Sequence, residues 1–161
     1  IGAWANPTLE PEVAVRLGAG VAAGASAAEV RAAIDAAGPA IELVDLGAPD
    51  DVEAVLAGNI FHRAVLLGPL APLPPGDLDA VRLTLSISGE PPVEGIDPRP
   101  VLGDLAEVVR AIADQLPLAG TTLQAGDVVI TGSAVPAIAL RGGEDVEVAL
   151  DGAGAVSVSL R

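Results

Sequence analysis

Polar and apolar positions change period several times along the chain, and each change marks an element. Val81, Leu83, Leu85 and Ile87 alternate with Arg82, Thr84, Ser86 and Ser88, the pattern of a strand with one wet face. Val30, Ala33, Ile34 and Ala37 recur at helical spacing behind the capping box Ser26-Ala27-Ala28-Glu29, and Gly38-Pro39 supplies a stop, so a helix is predicted up to those residues. A second helix is predicted from Asp104, with Glu107 as its box partner and Leu105, Val108, Val109, Ile112 and Leu116 on one face; Pro117 ends it. Asp50-Asp51-Val52-Glu53 offers a cap for a short helix through about Ala57, closed by Gly58-Asn59. Residues 8–17, Ala40 to Leu46 and Ala64 to Gly68 have the β-branched, apolar character of strands, and the last two read as buried. Pro69 to Gly76 reads as an irregular crossover. Strands are predicted at Asp127 to Thr131 and Ala137 to Leu140, and Val146 to Leu150 pairs with Val156 to Leu160 through Asp151-Gly152-Ala153-Gly154, so the last third is β-rich. Ile1 to Pro7 reads as an entering arm anchored by Trp4.

The first strand breaks the apolar pattern with a pair of carboxylates. In Thr8-Leu9-Glu10-Pro11-Glu12-Val13, an extended backbone puts Glu10 and Glu12 on one face about 7 Å apart. Pro11 is tolerable there only at an edge, a bulge or a strand start. Two carboxylates so close, with no basic partner in the stretch, either share a proton or hold a cation. Ala40 to Leu46 likewise places Glu42 in the middle of an apolar run and Asp45 near its end, on opposite faces, so only one of them can join a given cluster.

Composition narrows the chemistry. The chain has 161 residues, 51% of them hydrophobic, which suffices for one domain with a core. That core is built from Val, Leu, Ile and Ala, because Phe61 and Trp4 are the only aromatic residues and Met is absent. All basic residues are Arg, which excludes any mechanism that needs a lysine of this chain, and the absence of Cys removes disulfides, thiolate metal sites and thiol nucleophiles. A net charge of -14 repels phosphate backbones and anionic membrane surfaces, so neither nucleic acid nor membrane is expected as a partner. A soluble, cytoplasmic protein is the expectation.

Four stretches occur in an order that resembles the fumarylacetoacetate hydrolase superfamily, in its branch of 2-keto-4-pentenoate hydratases and 4-oxalocrotonate decarboxylases. They are Leu9-Glu10-Pro11-Glu12-Val13-Ala14; Pro39-Ala40-Ile41-Glu42-Leu43-Val44-Asp45; Ala57-Gly58-Asn59 with Leu66-Leu67-Gly68; and Leu123-Gln124-Ala125-Gly126-Asp127 through Thr131-Gly132-Ser133. Asp151 to Val158 is similar to that branch's terminal strand pair. The resemblance implies an α+β fold, with β-rich mixed sheets rolled around the active site and two or three flanking helices. It implies that residues 1–161 form a single catalytic domain without the family's N-terminal segment. It implies that Glu10, Glu12 and Glu42 hold a divalent cation, and oxygen-only ligation suits Mg²⁺ or Mn²⁺. Such an ion chelates a short 2-keto acid and stabilises the enolate formed as a proton, water or CO₂ is added or lost. Thr131 and Ser133 match the loop that meets the substrate. The activity implied is that of a lyase, a hydratase or decarboxylase of meta-cleavage aromatic degradation. Self-association is expected, as a homo-oligomer or with a related subunit.

The same residues admit other readings. The family's hydratases carry a lysine upstream of the paired glutamates, and this chain has none; Phe61 and His62 stand where small residues are expected. A non-catalytic paralogue or subunit that keeps the fold is therefore an alternative, as is an acylpyruvate hydrolase or oxaloacetate decarboxylase, although Glu42 rather than an aspartate argues for the hydratase side. Asp45 reads as a cap or backbone acceptor rather than a ligand. His62, the only histidine, reads as a half-buried helix-end or interface residue, with general-base catalysis the rarer role.

Overall fold

The longest ladder of the fold pairs β1 (Pro7–Leu17) antiparallel with β2 (Ile34–Asp45), from Pro7↔Asp45 to Leu17↔Ile34. Between the two strands lies α1 (Ala27–Ala33). The chain continues through α2 (Val52–Ala57), β3 (His62–Leu67), β4 (Ala71–Pro72), β5 (Leu83–Ile87), β6 (Val93–Ile96), α3 (Arg99–Leu102) and α4 (Leu105–Gln115). It closes with β7 (Val128–Ser133), β8 (Ile138–Ala139), β9 (Asp145–Leu150) and β10 (Gly154–Ser159). This computed structural model describes residues 4–47, 51–73 and 77–161. The start of the expected arm, Asp50 of the expected cap and the last three residues of the expected crossover lie outside the described residues.

One sheet runs in the order β3-β2-β1-β7, with β4 added to β2 and β8 to β1; a second runs β10-β9-β5-β6. The α+β, β-rich class holds. Within it, every ladder among the described residues is antiparallel, a narrower arrangement than the mixed sheets expected. Both sheets and two helices feed one apolar cluster, with Leu9, Val13 and Ile41 from the first sheet, Leu83 and Val148 from the second, Val30 from α1 and Val109 from α4.

The first helix is shorter than its pattern. The capping box forms, with Ser26 accepting from the Glu29 N–H and Glu29 accepting from the Ser26 N–H, but helix ends at Ala33. Ile34 to Pro39 belong instead to β2, paired with Val13 to Leu17. Helix propensity is a weak prior, and a long cross-strand ladder over a buried face overrides it. The small residues serve that ladder in another way. A side chain added at Gly38 would collide with the Pro69 carbonyl, so the glycine that read as a stop is a point of close backbone approach.

Three further differences have local causes. Asp104 caps α4 by accepting the Ala106 N–H at 2.8 Å, but Glu107 is held by Arg110 at 2.6 Å and does not close a box. β3 is an edge strand rather than a buried one, and Leu67 is exposed. β6, which pairs with β5, and the one-turn α3 lie where the sequence showed no clear period.

β1 is a central strand, yet it contains Pro11. The Pro11 carbonyl accepts the Ala134 N–H at 2.9 Å, which places its missing N–H on the side where β7 has ended and β8 has not begun. The ring therefore costs no ladder bond, and the β1–β7 register shifts beside it, between Glu12 and Ala14.

Candidate metal centre

β1 and β2 set the acidic cluster by register alone. Glu10 lies directly opposite Glu42, and Glu12 lies opposite Ser133 of β7. One carboxylate oxygen from each of Glu10, Glu12 and Glu42 comes within 4.8 Å of the others. Glu12 is 1% exposed, while Glu10 and Glu42 are half-buried at the mouth. Among the described residues, no ion pair reaches Glu10 or Glu12.

Glu12 and Glu42 each have an oxygen fixed from outside the cluster. Glu12 Oε2 accepts the Gly132 N–H at 2.7 Å, and Glu42 Oε1 lies 2.6 Å from His62 Nδ1. Burial and then the charge of Glu42 raise the Glu10 carboxyl. Burial pushes Glu12 up to about 8; the Gly132 N–H opposes the shift, and Glu42 and Glu10 reinforce it. Buried like charges of this kind are stable only with a proton or a cation among them. Three oxygen donors with no thiolate fit a hard divalent ion, because such ions take carboxylate and water ligands.

The site opens into a cavity of about 520 Å³, lined by Glu10, Glu42, Val44, Leu46 and residues 59–62. Its wall is a backbone of unusual conformation: Asn59, Ile60 and Phe61 have φ of 54°, 52° and 67°. For a β-branched residue such as Ile60 this left-handed region is costly, by roughly 1–2 kcal/mol.

The structure thus brings together all three expected metal ligands. It treats the two expected substrate contacts differently. Thr131 is turned inward, 3% exposed, with its hydroxyl donating to the Val13 carbonyl at 3.0 Å, so it ties β7 to β1 instead of facing the cavity. Ser133 is half-buried beside Glu12, and its hydroxyl donates to the Val135 carbonyl at 2.6 Å. Asp45 accepts the Asn6 N–H at 2.8 Å and lies 3.7 Å from Arg63, outside the cluster. Sequence reasoning missed the Gly132 N–H, although the glycine sits inside a quoted motif, because a backbone donor leaves no side-chain signal. It read His62 as a half-buried helix-end or interface residue, and the residue is half-buried at the end of the Asn59–Phe61 turn; its contact with Glu42 was missed, since that depends on the pairing of two strands.

A family model for the fumarylacetoacetate (FAA) hydrolase C-terminal region matches residues 2–161. The chain belongs to this family. A 4-oxalocrotonate decarboxylase from Pseudomonas sp is 28% identical over 159 residues, covering 97% of this chain and 61% of the relative. 2-Keto-4-pentenoate hydratase 1 from Dechloromonas aromatica (strain RCB) is 30% identical over 161 residues, with 97% and 61% covered. Among solved structures, 4-oxalocrotonate decarboxylase from Pseudomonas putida G7, complexed with magnesium and adipate, superposes with a TM-score of 0.86. It is 27% identical and matches 99% of this chain and 62% of its own. The same enzyme complexed with calcium and acetate gives a TM-score of 0.85 at 28% identity. This family member therefore spans about 61% of the length of the curated relatives it matches. No helix among its described residues is long and apolar enough to cross a membrane.

Proposed function

We propose that this family member is the metal-binding domain of a lyase that hydrates or decarboxylates a short 2-keto acid or 2-hydroxydienoate. The observation that carries the reading is the convergence of one oxygen each from Glu10, Glu12 and Glu42 within 4.8 Å, with Glu10 and Glu42 lining a cavity large enough for a small organic acid. The relatives named as decarboxylase and hydratase, and the magnesium complex of one of them, support it. Mg²⁺ or Mn²⁺ is the ion proposed. When bound, it supplies positive charge beside the oxygens of the acid and offsets the negative charge that develops as a proton, water or CO₂ is exchanged.

The chain's own residues do the rest. Glu10, Glu12 and Glu42 hold the ion, and the Gly132 N–H fixes Glu12 so that its second oxygen is free for the cluster. Val44, Leu46 and Phe61 line the cavity with apolar surface, which reduces water around the reacting atoms. Ser133, opposite Glu12, is the proposed contact for the polar end of the substrate. Thr131 contributes by holding β7 in place. A cytoplasmic location suits a chain without Cys, and self-association, with itself or a related subunit, is proposed.

Calorimetric titration with Mg²⁺ and Mn²⁺ tests the site. Binding is expected for the unmodified chain and a loss of at least 100-fold for the Glu10→Gln/Glu12→Gln double variant, since two of three charged ligands are removed; equal affinity in both would sink the reading. Turnover of 4-oxalocrotonate or 2-hydroxypenta-2,4-dienoate separates an active lyase from the second reading, a non-catalytic subunit, which the absence of any lysine in these residues favours.

A further inference from the structure

His62 occupies its place because of an irregularity in the sheet. The β2–β3 ladder runs Glu42↔Val65 and Leu43↔Ala64, and an unbroken register would set Arg63 opposite Val44. The register shifts between Leu43 and Val44, so His62 takes that position. Val44 and Glu42 are two residues apart on one strand and share a face, so the shift puts the imidazole, rather than the guanidinium, on the face of Glu42. Arg63 is left beside Asp45, at 3.7 Å. The left-handed turn at Asn59, Ile60 and Phe61 delivers the chain into this offset register, with the His62 N–H closing on the Asn59 carbonyl. A costly turn and a bulge therefore end in one contact, the 2.6 Å approach of His62 Nδ1 to Glu42 Oε1.

We propose that His62 is a positioning residue for the metal centre, whose Nδ1–H holds one oxygen of Glu42 so that the other is presented to the ion. The inference rests on the metal-site reading above. An ionised carboxylate has only acceptor oxygens, and a carboxylate must be ionised to hold a cation, so in the loaded protein the proton of this contact belongs to the imidazole. The bond then fixes the tautomer, leaving Nε2 of a neutral ring without a proton. It pairs with the Gly132 N–H on Glu12: two of the three ligands each have one oxygen tied to a donor outside the cluster. Donors behind metal ligands orient them and typically contribute 10–100-fold to affinity.

Mn²⁺ titration of the full chain and of H62A, H62N and H62Q tests the inference. H62A is expected to weaken Mn²⁺ binding roughly 10–100-fold. The amide nitrogen of H62N stands near the place of Nδ1 and is expected to restore most of the loss, whereas that of H62Q stands nearer Nε2 and is not. Unchanged affinity in H62A overturns the role of His62 alone, as does equal loss in all three variants, which marks a packing effect. Failure of the unmodified chain to bind overturns the metal site itself and this role with it. A second measurement does not depend on any variant folding. Because His62 is the only histidine, ¹⁵N-histidine labelling gives a single imidazole in the NMR spectrum. In the Mg²⁺-loaded protein the proton is expected on Nδ1; a ring protonated only on Nε2 overturns the proposal.

Discussion

At the scale of single residues, Glu12 carries the sharpest consequence. Its carboxyl is pushed up to about 8, chiefly by burial, so near neutral pH the metal-free protein holds a proton there. A cation must displace it. Mn²⁺ binding at pH 7 is therefore expected to release about one proton, read as the dependence of the calorimetric heat on the buffer's ionisation enthalpy, and affinity is expected to rise with pH up to about 8. The same shift acts on folding. Between 4.5, the ordinary value, and about 8, the folded state keeps a proton that the unfolded state has lost. The stability this contributes is complete below 4.5 and is lost as pH rises through 8, with a slope of up to about 1.4 kcal/mol per pH unit. Glu12→Gln, which cannot titrate, is expected to flatten that slope in metal-free melts from pH 5 to 9. At this scale the sequence was informative. Glu10, Glu12 and Glu42 were legible because carboxylates inside apolar strands need partners. The inward turn of Thr131 was not, because a strand residue's face depends on a register that shifts beside it.

At the scale of elements, the site depends on β7 ending correctly. Gly132 has φ of 97° and offers its N–H to Glu12. A methyl group there meets Leu102 Cδ2 at 3.1 Å in a backbone conformation that side chains disfavour. Gly132→Ala is expected to cost about 1–3 kcal/mol in denaturant unfolding and to weaken Mn²⁺ binding as the N–H moves. Stability lost without any change in affinity would separate the two roles. The elements most legible in the sequence were those whose signals are local. The strand at β5 with its wet face, the Asp51 and Ser26 caps, and the pairing of β9 with β10 all follow from short-range chemistry, although β10 begins at Gly154, inside the expected turn. The residues from Ile34 to Pro39 did not. Their alanines suit a helix, and only the presence of β1 alongside makes them a strand. β3 read as buried because its residues are apolar, but burial on both faces requires neighbours that an edge strand lacks.

At the scale of the whole molecule, the two sheets are not independent. Leu83 and Val148 of the smaller sheet are fully buried in the cluster that also holds Leu9 and Val13, immediate neighbours of the acidic pair. Leu83→Ala is expected to destabilise the entire chain by about 2–5 kcal/mol, in one transition whose calorimetric and van't Hoff enthalpies agree. A separate early transition confined to the smaller sheet would contradict a shared core. Arg31 makes a further tie, binding Asp104 at 2.7 Å and Asp79 at 3.0 Å, and so joins α1 to the cap of α4. The sequence by itself determined the aliphatic core, the acidic charge and the three carboxylates, because periodicity and composition act along the chain, and the order of motifs shared with the family carried the class of the fold. Only the tertiary structure decided which oxygens converge, which donors stand behind them, and that a histidine rather than an arginine faces Glu42. Those outcomes depend on cross-strand register, and a shift of one residue moves a side chain to the opposite face.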